Sequence, residues 1–127
     1  MKNTKEKIIK YWSWPLLYAL LIFGLSSIRT PHVYELKNFN IDKLLHLVEY
    51  FGLALVLSRS FLKATSLKRS IIFWSIIAFG SIIAMSDEFY QSFVPGRQSS
   101  VYDFMADVIG VAVGTWVYLR KAKHDKS

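Results

Sequence analysis

Apolar residues fall into four long blocks, and polar residues are confined between them and at their edges. Tyr11 to Ile28 holds no charge; Ile41 to about Phe61, Ile71 to about Phe93 and Val101 to Leu119 are the other three. The first block has 18 residues, which as helix cover about 27 Å at 1.5 Å per residue, close to the roughly 30 Å hydrocarbon core of a bilayer. The pattern therefore predicts an all-α membrane fold. It is a four-transmembrane-helix bundle with helices near 11–28, 41–61, 71–93 and 101–119, forming one domain over 1–127.

The edges of the blocks support this division. Trp12, Trp14 and Tyr18 stand at the start of the first, where interfacial aromatics belong. Pro15 falls in its opening turns, where a missing N–H matters little. A basic segment before an apolar run is also the plan of a secretory signal peptide. This run is long for such a peptide, and no clear A-x-A site follows Gly24, Ser26 and Ser27. An uncleaved first helix is expected. Arg29 to Asn40, with its Thr30-Pro31 breaker, reads as a loop, and Arg59 to Ser70 as a short basic loop. Pro95-Gly96 divides the third helix from the fourth. Ser99 or Ser100 is placed to cap the fourth, with Asp103 in its first turn.

Composition sharpens the picture. The chain of 127 residues is 53% hydrophobic, carries a net charge of +7 and has no cysteine. Disulfides, thiolate catalysis and cysteine-ligated zinc are excluded. The basic residues cap apolar blocks and form no stripe on a polar face, so nucleic acid is not an expected partner. The amino-terminal segment, the Arg59–Arg69 stretch and the tail after Leu119 hold 12 of the 16 Lys and Arg. Basic loops face the cytoplasm, so a multi-pass protein of the plasma membrane with both termini cytoplasmic is expected.

That topology gathers the polar residues. Asp42, Lys43, His46 and Glu49 lie at the start of the second helix, and Asp87, Glu88 and Gln91 near the end of the third. Arg97 is in the turn, and Asp103 and Asp107 open the fourth helix. All fall at the outer side. Asp42, His46 and Glu49 share a face by their i, i+4, i+7 spacing, and Asp103, Asp107, Gly110 and Gly114 form another stripe. A carboxylate at mid-helix in a bilayer costs roughly 2.5–3.5 kcal/mol on insertion scales, so such groups sit near ends, face other helices, or do chemistry. Snorkelling and interhelical ties explain Asp42, Lys43 and Arg97, and Asp103 by a helix-start charge.

Glu49, Asp87, Glu88 and Asp107 lie deeper. Glu88, Asp87 and Glu49 are the candidate acids or bases. His46, Gln91, Arg97, Ser100, Asp103 and Asp107 are the candidate binding residues, with His46 and Arg97 expected at the rim. A Pro-Gly-Arg turn can present Arg97 to a phosphate or carboxylate, or to a neighbouring acid. His46 can shuttle a proton or ligate a metal, and oxygen ligands with one imidazole would suit Mg, Mn or Zn; with no H-E-x-x-H or D-x-D pair present, no metal ligand is assigned, and the cofactor stays unknown. No nucleophile elbow is found. The cytoplasmic halves of the helices are nearly free of ionisable groups, which argues against a continuous ion conduit. Gly110-x-x-x-Gly114 permits close helix approach, within one chain or between two in an oligomer.

Two segments resemble the VanZ-like family of bacterial membrane proteins. DKLLHLVEYFGLALVL, Asp42 to Leu57, is similar to the family's Asp-Lys…His…Tyr-Phe pattern. SDEFYQSFVPGRQSSVYDFMADVIGVAVG, Ser86 to Gly114, resembles its Asp-Glu…Gln…Pro-Gly-Arg…Ser…Asp…Gly run. The family usually has Asn after Ala in the fourth helix, where this chain has Asp107. An ionised group there adds repulsion among the acids unless a proton or cation compensates. The resemblance implies a place in the cell envelope. The founding member is associated with low-level resistance to teicoplanin, a lipoglycopeptide, rather than to vancomycin.

Three functions then compete. One is a non-catalytic factor binding a lipid-linked wall precursor or a lipoglycopeptide. The second is a membrane enzyme that modifies a lipid-linked envelope component, with Glu88 or Asp87 as acid or base. The third is a small scaffold whose polar cluster only holds the bundle.

Overall fold

A computed structural model describes residues 3–28, 39–97 and 99–125. It contains four helices in chain order: α1 Thr4–Ser26, α2 Phe39–Ala64, α3 Arg69–Gln91 and α4 Val101–His124. No strand occurs among the described residues. Each helix is long and apolar enough to cross a membrane. Most of the loop expected over Arg29–Asn40 lies outside the described residues, as do Lys2 and the last two positions of the tail.

Three of the four helices, α1, α2 and α4, run longer than their apolar blocks. Hydropathy marks where lipid begins, whereas Lys, Glu and Arg are good helix formers that continue the turns into water. Thus α1 begins at Thr4 rather than Tyr11, and α4 runs to His124 rather than stopping at Leu119. The expected basic loop Arg59–Ser70 shrinks to 65–68, because Arg59 to Ala64 stay in α2 and Arg69 opens α3. At its other end α3 stops at Gln91, two residues earlier than expected, and Ser92 N–H closes on the Glu88 carbonyl at 3.2 Å. A tight turn follows in which Gly96 takes a φ of 85°, a conformation glycine reaches without steric cost.

The α2–α4 pair is the most extensive interface. Small residues bring it about. A Cβ on Gly110 would press on the Leu47 carbonyl oxygen and stand 3.1 Å from Phe51 N; one on Gly114 would stand 2.7 Å from Phe51 O. The stripe read from the sequence is therefore filled by this chain's own α2. Gly80 takes Val111 of α4 against α3 in the same way. With no hydrophobic drive between helices in lipid, such close backbone approach supplies the dispersion that holds them.

α1 is attached more lightly. Ser60 Oγ donates to the Tyr11 carbonyl at 2.6 Å, Trp12 meets Phe61 edge-on at 4.9 Å, and Tyr18 OH donates to the Glu49 carbonyl at 3.0 Å. Trp14, Leu17, Leu21, Trp74, Ile82 and Trp116 point outward, as lipid-facing side chains do. The interior is divided along its length. Leu53, Leu57, Phe61, Ile72, Ile76 and Val111 fill one part, and ionisable groups fill the end where α2 begins, α3 ends and α4 begins.

Candidate functional site

Three helices build the polar end. The first turns of α2 bring Asp42, Lys43, His46 and Glu49; the last turns of α3 bring Asp87, Glu88 and Gln91; the first turns of α4 bring Asp103 and Asp107. Asp87 and Asp107 are wholly inaccessible, and Glu88 is 8% exposed. Asp87 and Glu88 point about 100° apart on their helix, yet both are buried. Burial of both is achieved because α3 packs against α1, α2 and α4.

His46 stands at the centre of one network. Its Nδ1 is 2.9 Å from Asp107 Oδ1 and 4.0 Å from Glu88 Oε1, and its Nε2 is 3.9 Å from Asp103 Oδ2. Lys43 pairs with Asp103 and lies 3.6 Å from Asp42. Glu88 Oε2 accepts the Ser100 N–H at 3.0 Å, while Ser100 Oγ accepts the Tyr102 N–H at 3.2 Å and so caps α4. Of the two expected caps, Ser100 is the one used. His46 is buried in the middle rather than at the rim. Its position about two turns into α2 puts it across from Asp103 and Asp107.

Asp87 centres the second network. Its Oδ2 accepts from Gln91 Nε2 at 3.1 Å and from Tyr50 OH at 3.4 Å, and the same Gln91 amide reaches Ser26 Oγ at 3.2 Å. Ser26 and Tyr50 are not among the candidate site residues that the sequence offers. Tyr50 carried a signal, since it follows His46 by four residues on one helical face. Ser26 carried none, lying in the last turn of α1 within the uncharged block Tyr11–Ile28.

Glu49 and Arg97 lie at the edge. Both are half-buried, and they are near enough to act on each other electrostatically. Arg97 N–H closes the turn on the Val94 carbonyl at 3.0 Å, and its Nε has no hydrogen-bond partner among the described residues. Asp87 Oδ1, Glu88 Oε1 and Asp107 Oδ2 are likewise buried without a hydrogen-bond partner. A buried polar group left in this state costs about 1–3 kcal/mol, more when charged. Three such carboxylate oxygens gather at this end of the bundle.

Glu88 also reaches the surface. A cleft of about 180 Å³ between α3 and the start of α4 is lined by Met85, Glu88, Ser99, Ser100, Val101 and Phe104. Met85 and Val101 are exposed, so the cleft opens at the surface between apolar walls, and the Glu88 carboxylate and two serines are its polar lining.

A protein-family model described as VanZ/LLP1 matches residues 3–122, which takes in all three polar turns. No match was found among curated proteins or among solved structures.

Proposed function

We propose, from the premise that this chain belongs to the VanZ/LLP1 family, that it binds an amphiphile of the cell envelope at the outer leaflet of the plasma membrane. In doing so it lowers sensitivity to teicoplanin-type lipoglycopeptides. Both termini are cytoplasmic in this reading, by the distribution of Lys and Arg. The observation that carries it is the double role of Glu88, which belongs to the buried acid–histidine cluster and also lines the surface cleft. An acyl or isoprenoid chain has Met85, Val101 and Phe104 to lie against. Its polar end meets Ser99, Ser100 and Glu88. Lipid-linked wall precursors and an acylated glycopeptide both have that amphiphilic form. Recognition by an apolar wall with a few fixed polar groups is the usual plan of a small-molecule site.

A second reading, a membrane enzyme acting on a lipid-linked envelope component, is favoured by the same residue. Glu88 Oε1 faces His46 Nδ1 at 4.0 Å. A carboxylate beside an imidazole is an arrangement able to pass a proton to or from a bound group.

The test is teicoplanin and vancomycin sensitivity in a susceptible Gram-positive host, comparing empty vector, wild type and Glu88→Gln at matched membrane abundance. The binding reading requires protection against teicoplanin by wild type, loss of it in Glu88→Gln, and unaltered envelope lipids. Altered lipids that return to normal in Glu88→Gln favour the enzyme. No protection from abundant wild type removes the drug-related reading.

A further inference from the structure

His46, Glu88 and Asp107 come from three different helices, and their donor atoms lie within 4.8 Å of one another, all buried. From this geometry we infer that they form a binding site for one divalent metal ion of borderline hardness, such as Mn²⁺ or Zn²⁺. The inference uses the cluster and not the proposed amphiphile, so its test is independent of drug sensitivity.

Three observations lead to it. First, two carboxylate oxygens of the set are buried without a hydrogen-bond partner among the described residues. Glu88 Oε1 has no hydrogen-bond partner and faces His46 Nδ1 at 4.0 Å; Asp107 is wholly buried, and its Oδ2 has no partner either. Two donors on a tetrahedral ion at 2.0–2.1 Å stand about 3.3 Å apart. The Nδ1–Oδ1 separation of 2.9 Å and the Nδ1–Oε1 separation of 4.0 Å bracket that spacing. Small side-chain rotations suffice to close the set.

Second, the histidine is oriented as a ligand. Its Nδ1 faces the two carboxylates while Nε2 faces Asp103 Oδ2 at 3.9 Å, and Asp103 is held by Lys43. A metal-bound imidazole ordinarily gives its second N–H to an outer carboxylate, which fixes the tautomer and the ring plane. Asp103 lies on that side of the ring, although at 3.9 Å it is beyond direct hydrogen-bond distance and would have to close in by a small rotation.

Third, the cluster's own charges are uneven. Among the described residues this end of the bundle carries Asp42, Glu49, Asp87, Glu88, Asp103 and Asp107 against Lys43, Arg97 and at most one charge on His46, while Arg29 and Lys37 belong to the loop outside the described residues. Within the triad two carboxylates face one imidazole, and a divalent ion would supply positive charge at that point. The mixture of one imidazole and carboxylate oxygens suits Mn²⁺ or Zn²⁺ rather than a soft ion. Sequence reasoning assigned no metal because each helix contributes one ligand, so no linear motif exists to be read.

Asp42, His46 and Asp103 form an alternative triad on the Nε2 side of the ring, and the experiment separates the two. The full-length protein in detergent micelles is stripped with chelator and titrated with Mn²⁺, the free ion being followed by electron paramagnetic resonance, with Zn²⁺ as competitor. Wild type is expected to take up one ion per chain. Glu88→Gln and Asp107→Asn, each shown to be monodisperse by size exclusion, are expected to weaken uptake at least about tenfold, the scale of loss seen even for outer-shell changes. Asp42→Asn is expected to leave it unchanged. The proposal is overturned if wild type binds neither ion at millimolar concentration. It is also overturned if both variants bind like wild type, or if Asp42→Asn alone abolishes uptake. Two variants on different helices keep the test decisive should one fail to fold.

Discussion

His46 Nδ1 lies 2.9 Å from Asp107 Oδ1, across the most extensive helix interface among the described residues. Gly110, three residues beyond Asp107, removes the side chain that would hold α2 and α4 apart, and its would-be Cβ falls on the backbone of Leu47, next to His46. The glycine stripe and the ionisable pair are thus one device: close backbone approach brings two polar side chains together out of reach of water.

Removing one partner should expose the cost of that arrangement. Asp107→Ala leaves the His46 ring nitrogen without its 2.9 Å partner in a buried place. A loss of about 1–3 kcal/mol is expected, since a buried group left without its partner costs its full desolvation penalty. Asp107→Asn keeps an oxygen at the same position and should lose clearly less. Thermal unfolding in detergent, without added metal, ranks the two. Equal midpoints for Asp107→Ala and wild type would show that the pair does not hold the bundle.

Glycine substitutions test the packing half of the device. Gly110→Ala puts a methyl group against the Leu47 carbonyl, a backbone atom with nowhere to go, and overpacking of that kind costs about 1–3 kcal/mol. Gly24→Ala in α1 meets nothing within 4 Å and should be neutral or stabilising by up to about 1 kcal/mol, the difference in helix propensity. The comparison is read as the difference between the two unfolding midpoints at matched expression.

Why some of this was legible in the chain and some was not follows from what each residue responds to. The four helices follow from hydropathy, and the Asp103–Asp107–Gly110–Gly114 face from a period that needs no partner to be seen. Helix ends were missed because lysines such as Lys5 and Lys7 obey helix propensity rather than hydropathy. The convergence of Asp87, Glu88, His46 and Asp107 was foreseeable from topology alone, since alternating spans return their ends to one side. The choice of partners was not. That His46 faces Asp107 and Glu88 rather than Asp42, its own-helix neighbour at i−4, depends on the rotation of α2 against α4. Glycine positions fix that rotation only once the partner helix is known.

Orientation in the membrane is open to direct measurement, because the chain has no native cysteine. Ser66→Cys falls in the short α2–α3 link and Ser99→Cys before α4. Ser99 is preferable to Gly96, whose φ of 85° disfavours any side chain. An impermeant maleimide applied to intact cells should label Ser99→Cys and spare Ser66→Cys until the membrane is opened. The opposite result would put the acid cluster on the cytoplasmic side and end the outer-leaflet reading.

The Asp87 network gives a graded prediction. Gln91 is 2% exposed and joins Asp87 Oδ2 at 3.1 Å to Ser26 Oγ at 3.2 Å, so it ties α1 to α3 and also serves a wholly buried carboxylate. Tyr50 reaches the same oxygen at only 3.4 Å, near the limit of a hydrogen bond. Gln91→Leu should therefore cost about 1–3 kcal/mol, and Tyr50→Phe less than about 1 kcal/mol. Asp87→Asn should reduce the penalty of Gln91→Leu, because a neutral amide in place of the acid demands less from its donor. A double-mutant cycle in detergent would then show coupling of about 0.5–3 kcal/mol between positions 87 and 91. Zero coupling would mean that Gln91 acts through Ser26 alone, as a strap for α1, and that Asp87 finds its compensation elsewhere in the cluster.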